Sequence, residues 1–194
     1  QMSKTLTNAQ ILCLFRLYKK NTQRTYFCSN MSFLMAGTLI ILICSLFMNA
    51  GTNMSVTSEV KNESMSNQIV MNTIISSASS GLFIVFMVSK NNILMDEQKV
   101  ASTQLLMNYN VHVLCNGILA GLVSVTAACA RIELWAASLI GLLGGMIFYY
   151  SRTIFNRYEI DDPLEVTEIH AICGIWSLCA VGLFDIKKGL LYTG

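Results

Sequence analysis

Charge is scarce in this chain. Asp, Glu, Lys and Arg make up 12% of its 194 residues, about half the share of a soluble domain. With 54% hydrophobic residues, a mean hydropathy of +0.54 and long apolar runs, this excludes a globular enzyme and predicts an integral membrane protein. Basic patches are missing, and so are paired carboxylates in a polar cleft, which argues against nucleic-acid binding and against a soluble helical enzyme. The net charge of +2 selects no acidic partner. CxxC spacing is also missing. Cys44, Cys115, Cys129, Cys173 and Cys179 lie in or beside apolar runs and read as small membrane-core residues, not as metal ligands or disulfide partners. No signal-peptide pattern is visible. The sequence opens at Gln1 and stops at Gly194, directly after an apolar helix, so a fragment or truncated product of something longer is expected.

What is present is a series of apolar spans. Residues 1–30 are assigned to an N-terminal cytoplasmic loop or the eroded end of a preceding helix. Ile11–Tyr18, interrupted by Arg16, is too short to cross a bilayer; a surface-lying amphipathic segment is the other reading. Five spans are predicted in residues 31–194, at about 31–51, 68–88, 111–130, 134–150 and 163–184. The second is rich in small and polar residues from Asn72 to Gly81, which suits a helix inside a bundle. Gly117 and Gly121 in the third, and Gly141 and Gly145 in the fourth, repeat at intervals of four and predict helix-packing stripes. Polar loops are expected at 53–68 and 89–108.

Orientation follows from the basic residues. With the chain before Met31 cytoplasmic, the inside loops hold Arg16, Lys19, Lys20, Arg24, Lys90, Lys99, Arg152 and Arg157. The outside loops hold Lys61, Arg131, Lys187 and Lys188, so the bias is two to one. The sequons at Asn53 and Asn62 then fall outside.

The last span has the most informative start. Asp162 is expected to cap the free N–H groups, Pro163 to take the first helical position, and Glu165 to fold back as in a capping box. His170 is the only ionisable group between Glu168 and Asp185. At roughly 1.5 Å rise per residue it lies about 12 Å beyond Asp162, at a depth where a titratable ring marks a pathway. The other reading is a core histidine satisfied by a backbone carbonyl or a Ser.

Asp161-Asp162-Pro163, then His170, then Cys173-Gly174-Ile175-Trp176, resembles the tenth transmembrane helix of the ammonium transporter family, the Amt/Mep/Rh group. Asn116-Gly117 with Ala120-Gly121-Leu122-Val123 and Thr126-Ala127-Ala128-Cys129 is similar to the eighth, Asn72-Thr73 to the seventh, and Asn49-Ala50-Gly51-Thr52 more faintly to the sixth. The resemblance covers roughly residues 33–192. It implies an all-α polytopic bundle, half of an eleven-helix fold, and a narrow apolar pore for ammonium or ammonia.

Further implications follow residue by residue. His170 corresponds to one of two pore-lining histidines. Met48 stands where the family places one of two gating phenylalanines. Thr52 stands where a serine hydroxyl meets ammonium at the recruitment site, or is an ordinary hydroxyl at a helix end. Gly174 is assigned to helix packing. Glu168 departs from the family's small residue, either snorkelling to the cytoplasmic boundary or facing the packing seam. His112 reads as interfacial, and Asn72 and Asn116 as braces between helices. The resemblance also implies a homotrimer in the lipid bilayer, a plasma-membrane location, no cofactor, no nucleic-acid partner and no covalent chemistry. The alternative is a non-conducting or truncated relative acting as a sensor or regulatory membrane subunit.

Overall fold

The computed structural model describes residues 30–51, 59–94, 103–158, 160, 162 and 164–191. Every regular element among them is helical. In order they are α1 (Met31–Gly51), α2 (Glu59–Leu94), α3 (Thr103–Thr126), α4 (Leu134–Arg157), a π-helical turn (Thr167–Ile172) and α5 (Cys173–Phe184), which continues that turn. Four segments are long and apolar enough to cross a membrane: Met31–Gly51, Met65–Lys90, Leu134–Phe155 and Thr167–Phe184. A shorter apolar stretch, Asn110–Thr126, lies within α3. This is an all-α bundle of apolar helices, and the chain is a membrane protein.

Several boundaries differ from the sequence reading. Helix α2 extends from Glu59 to Leu94, into both flanks expected as loop. Helix α3 stops at Thr126, not 130, and the next four residues form a turn. There the Ala127 N–H bonds to the Ser177 hydroxyl at 3.0 Å instead of continuing the helical ladder. Helix α4 runs on to Arg157. The last helix begins at Thr167, four residues later than expected.

Helix α2 is the centre of the bundle, packed most extensively on α4 and α3. Glycine is what allows this. A Cβ on Gly121 would run into Ser80 and the backbone of Ser76 and Ser77; one on Gly141 would meet Ser76 and Ser79; one on Gly145 would meet Ser80. A Cβ on Gly117 would meet Ile84. The four predicted packing glycines in α3 and α4 therefore all converge on α2. The close approach is used for polar bonding: Ser76 Oγ donates to the Gly121 carbonyl at 2.7 Å and Ser80 Oγ to the Gly117 carbonyl at 2.6 Å. Lipid is as apolar as a Leu side chain, so such contacts and bonds, not the hydrophobic effect, hold membrane helices together. Asn72 braces the α3–α4 turn, its Nδ2 donating to the carbonyls of Cys129 and Ile132 at 2.9 and 3.0 Å.

Helix α1 is different. Its buried residues are Thr38 and Asn49, and Asn49 donates to the Thr73 hydroxyl at 3.3 Å. Most of its large side chains, such as Phe33, Ile40 and Phe47, are exposed. It contacts α3 and α2 from the edge of the bundle.

Candidate functional site

Between α1, α3 and the last helix lies a groove of about 630 Å³. Ile41, Ser45 and Met48 line it from α1; Leu119, Leu122, Val123 and Thr126 line it from α3. His170 and Gly174 line it from the π-turn and α5, with Ser177 further along. Its walls are mainly aliphatic, and the few hydroxyls are partly occupied. Thr126 Oγ1 donates to the Leu122 carbonyl at 2.9 Å, and Ser177 Oγ accepts from Ala127 N–H. That leaves the His170 imidazole as the one titratable group among the described lining residues. It is exposed on this wall. A buried core histidine, the other reading of this residue, is not what the structure has.

Gly174 needs correction. No atom of the described residues comes within 4 Å of the place a Cβ would occupy, so it packs against no described helix. Instead it lines the groove, because this face of α5 looks away from α2 and α4. Thr52 and Pro163 lie outside the described residues.

The helix start is also rearranged. Asp162 accepts hydrogen bonds from the backbone N–H groups of Thr167 at 2.7 Å and Val166 at 3.2 Å. Partial burial pushes its carboxyl up, but these N–H bonds outweigh it and hold the group below the usual carboxylate range. Glu165 does not complete a capping box. Its side chain is turned inward, the residue as a whole being 7% exposed, and its backbone sits at φ +55°. The carboxylate forms an ion pair with Arg152 of α4 and accepts from Asn116 Nδ2 of α3 at 3.0 Å. A capping geometry was displaced because Arg152 and Asn116 offer the carboxylate charge-assisted partners in a buried setting, where such bonds are strongest. His112, expected at the interface, is half-buried and electrostatically linked to both Glu165 and Arg152.

Glu168, two positions before His170, is 2% exposed, so it faces the packing seam and does not snorkel. Its Oε2 has no hydrogen-bond partner among the described residues. At the opposite end of the last helix, Asp185 accepts from the Lys187 N–H at 2.8 Å and pairs with Arg131 at 3.5 Å. The Lys187 N–H first, then Arg131 against a small burial penalty, hold its carboxyl below the usual range. The inward Glu165 cluster escaped the sequence reading. Its partners lie 13 and 49 residues away, and no spacing rule links them.

Comparison with known proteins agrees with this architecture. The pattern of the Ammonium Transporter Family matches residues 9–193. Ammonium transporter 3 of Dictyostelium discoideum is 47% identical over 70 residues, which cover 36% of this chain and 16% of that protein. Ammonium transporter 1 member 1 of Solanum lycopersicum is 35% identical over 77 residues, covering 40% and 16%. Among solved structures, Saccharomyces cerevisiae Mep2 matches with a TM-score of 0.60 at 24% identity, over 80% of this chain and 31% of that one. The R452D,S453D mutant of Mep2 from Candida albicans matches with a TM-score of 0.66 at 20% identity, over 89% and 37%. The chain thus spans well under half the length of the relatives it matches. The chain belongs to the ammonium transporter family.

Proposed function

We propose that this chain forms part of a membrane path for ammonium or ammonia, and that the α1–α3–α5 groove is its wall on that path. The observation that carries the reading is that His170 and Met48, assigned to a pore by separate stretches of sequence, line the same apolar groove. An ammonium ion is costly to strip of water, and aliphatic walls give little in return. Neutral ammonia passes such walls more cheaply. A histidine in the wall supplies a donor or an acceptor for the transferred species and a site where a proton can rest. Met48 narrows the groove without adding polarity. The protein acts by binding and passage, as family members do, and not by covalent chemistry. Ammonium or ammonia is the substrate, a homotrimer the assembly, and the plasma membrane the setting of this reading.

A second reading is a non-conducting relative serving as a sensor or regulatory subunit. Buried Glu168 favours it, because a buried carboxyl group whose Oε2 has no partner among the described residues is costly, and it sits in the same turn as His170.

Methylammonium uptake and ammonium-dependent current in cells expressing the full reading frame separate the two. His170→Ala, compared at matched surface level, is expected to abolish uptake or change its charge coupling. Background uptake by the unsubstituted protein, despite normal surface delivery, would overturn transport and leave the second reading.

A further inference from the structure

Glu165 combines three features that local helix signals do not explain. It is a non-glycine residue at φ +55°, a conformation that bulky L side chains adopt only at a cost of about 1 kcal/mol or more. Its carboxylate is buried. It is also the meeting point of three elements: Arg152 arrives from α4, Asn116 from α3, and Glu165 itself precedes the π-turn. Both side chains of the ion pair are largely buried, 12% exposed for Arg152 and 10% for Glu165. By contrast, the Arg131 side chain in the Arg131–Asp185 pair is 64% exposed. Surface pairs contribute little, whereas breaking a buried pair strands a charge.

The backbone of Glu165 then sets the turn that follows. Its carbonyl accepts the Ile169 N–H at 3.1 Å, and its own N–H donates to the Asp162 carbonyl at 3.1 Å. After Val166, Thr167–Ile172 are π-helical. A π-turn closes i→i+5 and so takes in one residue more than an α-turn, which shifts the facing of the side chains around it; its placement decides which side chain faces where. In this one Glu168 and Ile169 are buried and His170 is exposed to the groove.

We propose that the Glu165–Arg152 pair, held also by Asn116, is a latch that fixes the π-turn in register and so positions the His170 imidazole in the groove. Glu165 and Arg152 are positioning residues on this account, since neither lines the groove. The proposal rests on the transport reading only for its effect on uptake; the latch itself is a statement about one turn.

Two substitutions test it in the full chain. Glu165→Asn keeps a residue that tolerates positive φ but shortens the reach to Arg152. Arg152→Met keeps the length and removes the charge. At matched surface level each is expected to lower methylammonium uptake by on the order of tenfold or more, the usual scale for a misplaced functional group. In purified protein the amides of Thr167–Ile172 are expected to exchange hydrogen about tenfold faster, with those of residues 134–150 unchanged. The double variant is expected to be no worse than either single one, because the two groups act as a unit.

Unchanged exchange in the turn overturns the latch. So does exchange that quickens equally through α4, since the pair would then support the bundle at large. Losses that multiply in the double variant also overturn it. If the unsubstituted protein carries no methylammonium, the transport reading fails while the exchange results still decide the latch.

Discussion

Small residues have opposite consequences on the two sides of this bundle. On the α2 side, Gly117, Gly121, Gly141 and Gly145 are filled against by serines and Ile84, and the backbones come close enough for Ser76 and Ser80 to bond the facing carbonyls. On the α5 side, Gly174 meets nothing among the described residues, and its missing side chain becomes part of a groove. The residue type is the same. What differs is whether a partner helix is present to use the space. A seam is built where two small-residue stripes face each other. A groove is left where one small residue faces an apolar wall across a gap.

The largest effect should come from filling the seam. Gly141→Val places methyl groups on the Ser76 carbonyl and the Ser79 side chain. Overpacking of this kind costs about 3 kcal/mol, and a fall in the thermal midpoint of the detergent-solubilised protein would record it. Loss of the Asp162 cap is expected to cost about 1 kcal/mol in Asp162→Ala, measured in the same way. Because its folded pKa lies below the ordinary value near 4, the cap's charge contribution is complete at neutral pH. It fades as acid protonates the carboxylate through that lowered value. Asp162→Ala should therefore show a flatter loss of stability between about pH 5 and pH 3.

Ser76→Ala and Ser80→Ala each remove one interhelical bond and should cost about 0.6 kcal/mol, the typical value for such bonds inside a membrane protein. The smallest effect is expected at Gly174→Ala, within about 0.5 kcal/mol of zero. A Gly174→Ala cost as large as that of Gly141→Val would erase the contrast between seam and groove.

Much of this was legible in the sequence, for identifiable reasons. Apolar runs announce membrane helices directly, and interval-four glycines announce a packing face. His170 stood out because a titratable group in an apolar run is rare. Gly174 was misread because a small residue in an apolar helix marks a smooth face without saying whether anything lies against it. Glu165 was misread because Asp162-x-x-Glu165 fits a local cap, while Asn116 and Arg152, far away in sequence, bind the carboxylate more strongly. The helix end at Thr126 was missed for a similar reason: it depends on the bond from Ala127 to Ser177, 50 residues apart.

The groove as the path is tested most directly by plugging it. Gly174→Phe adds a ring where no atom of the described residues lies within 4 Å of the Cβ position, so folding and surface delivery should be preserved. Methylammonium uptake at matched surface level is then predicted to fall to background. Uptake equal to that of the unsubstituted protein, in a stable Gly174→Phe variant, would contradict the assignment of this groove to the path.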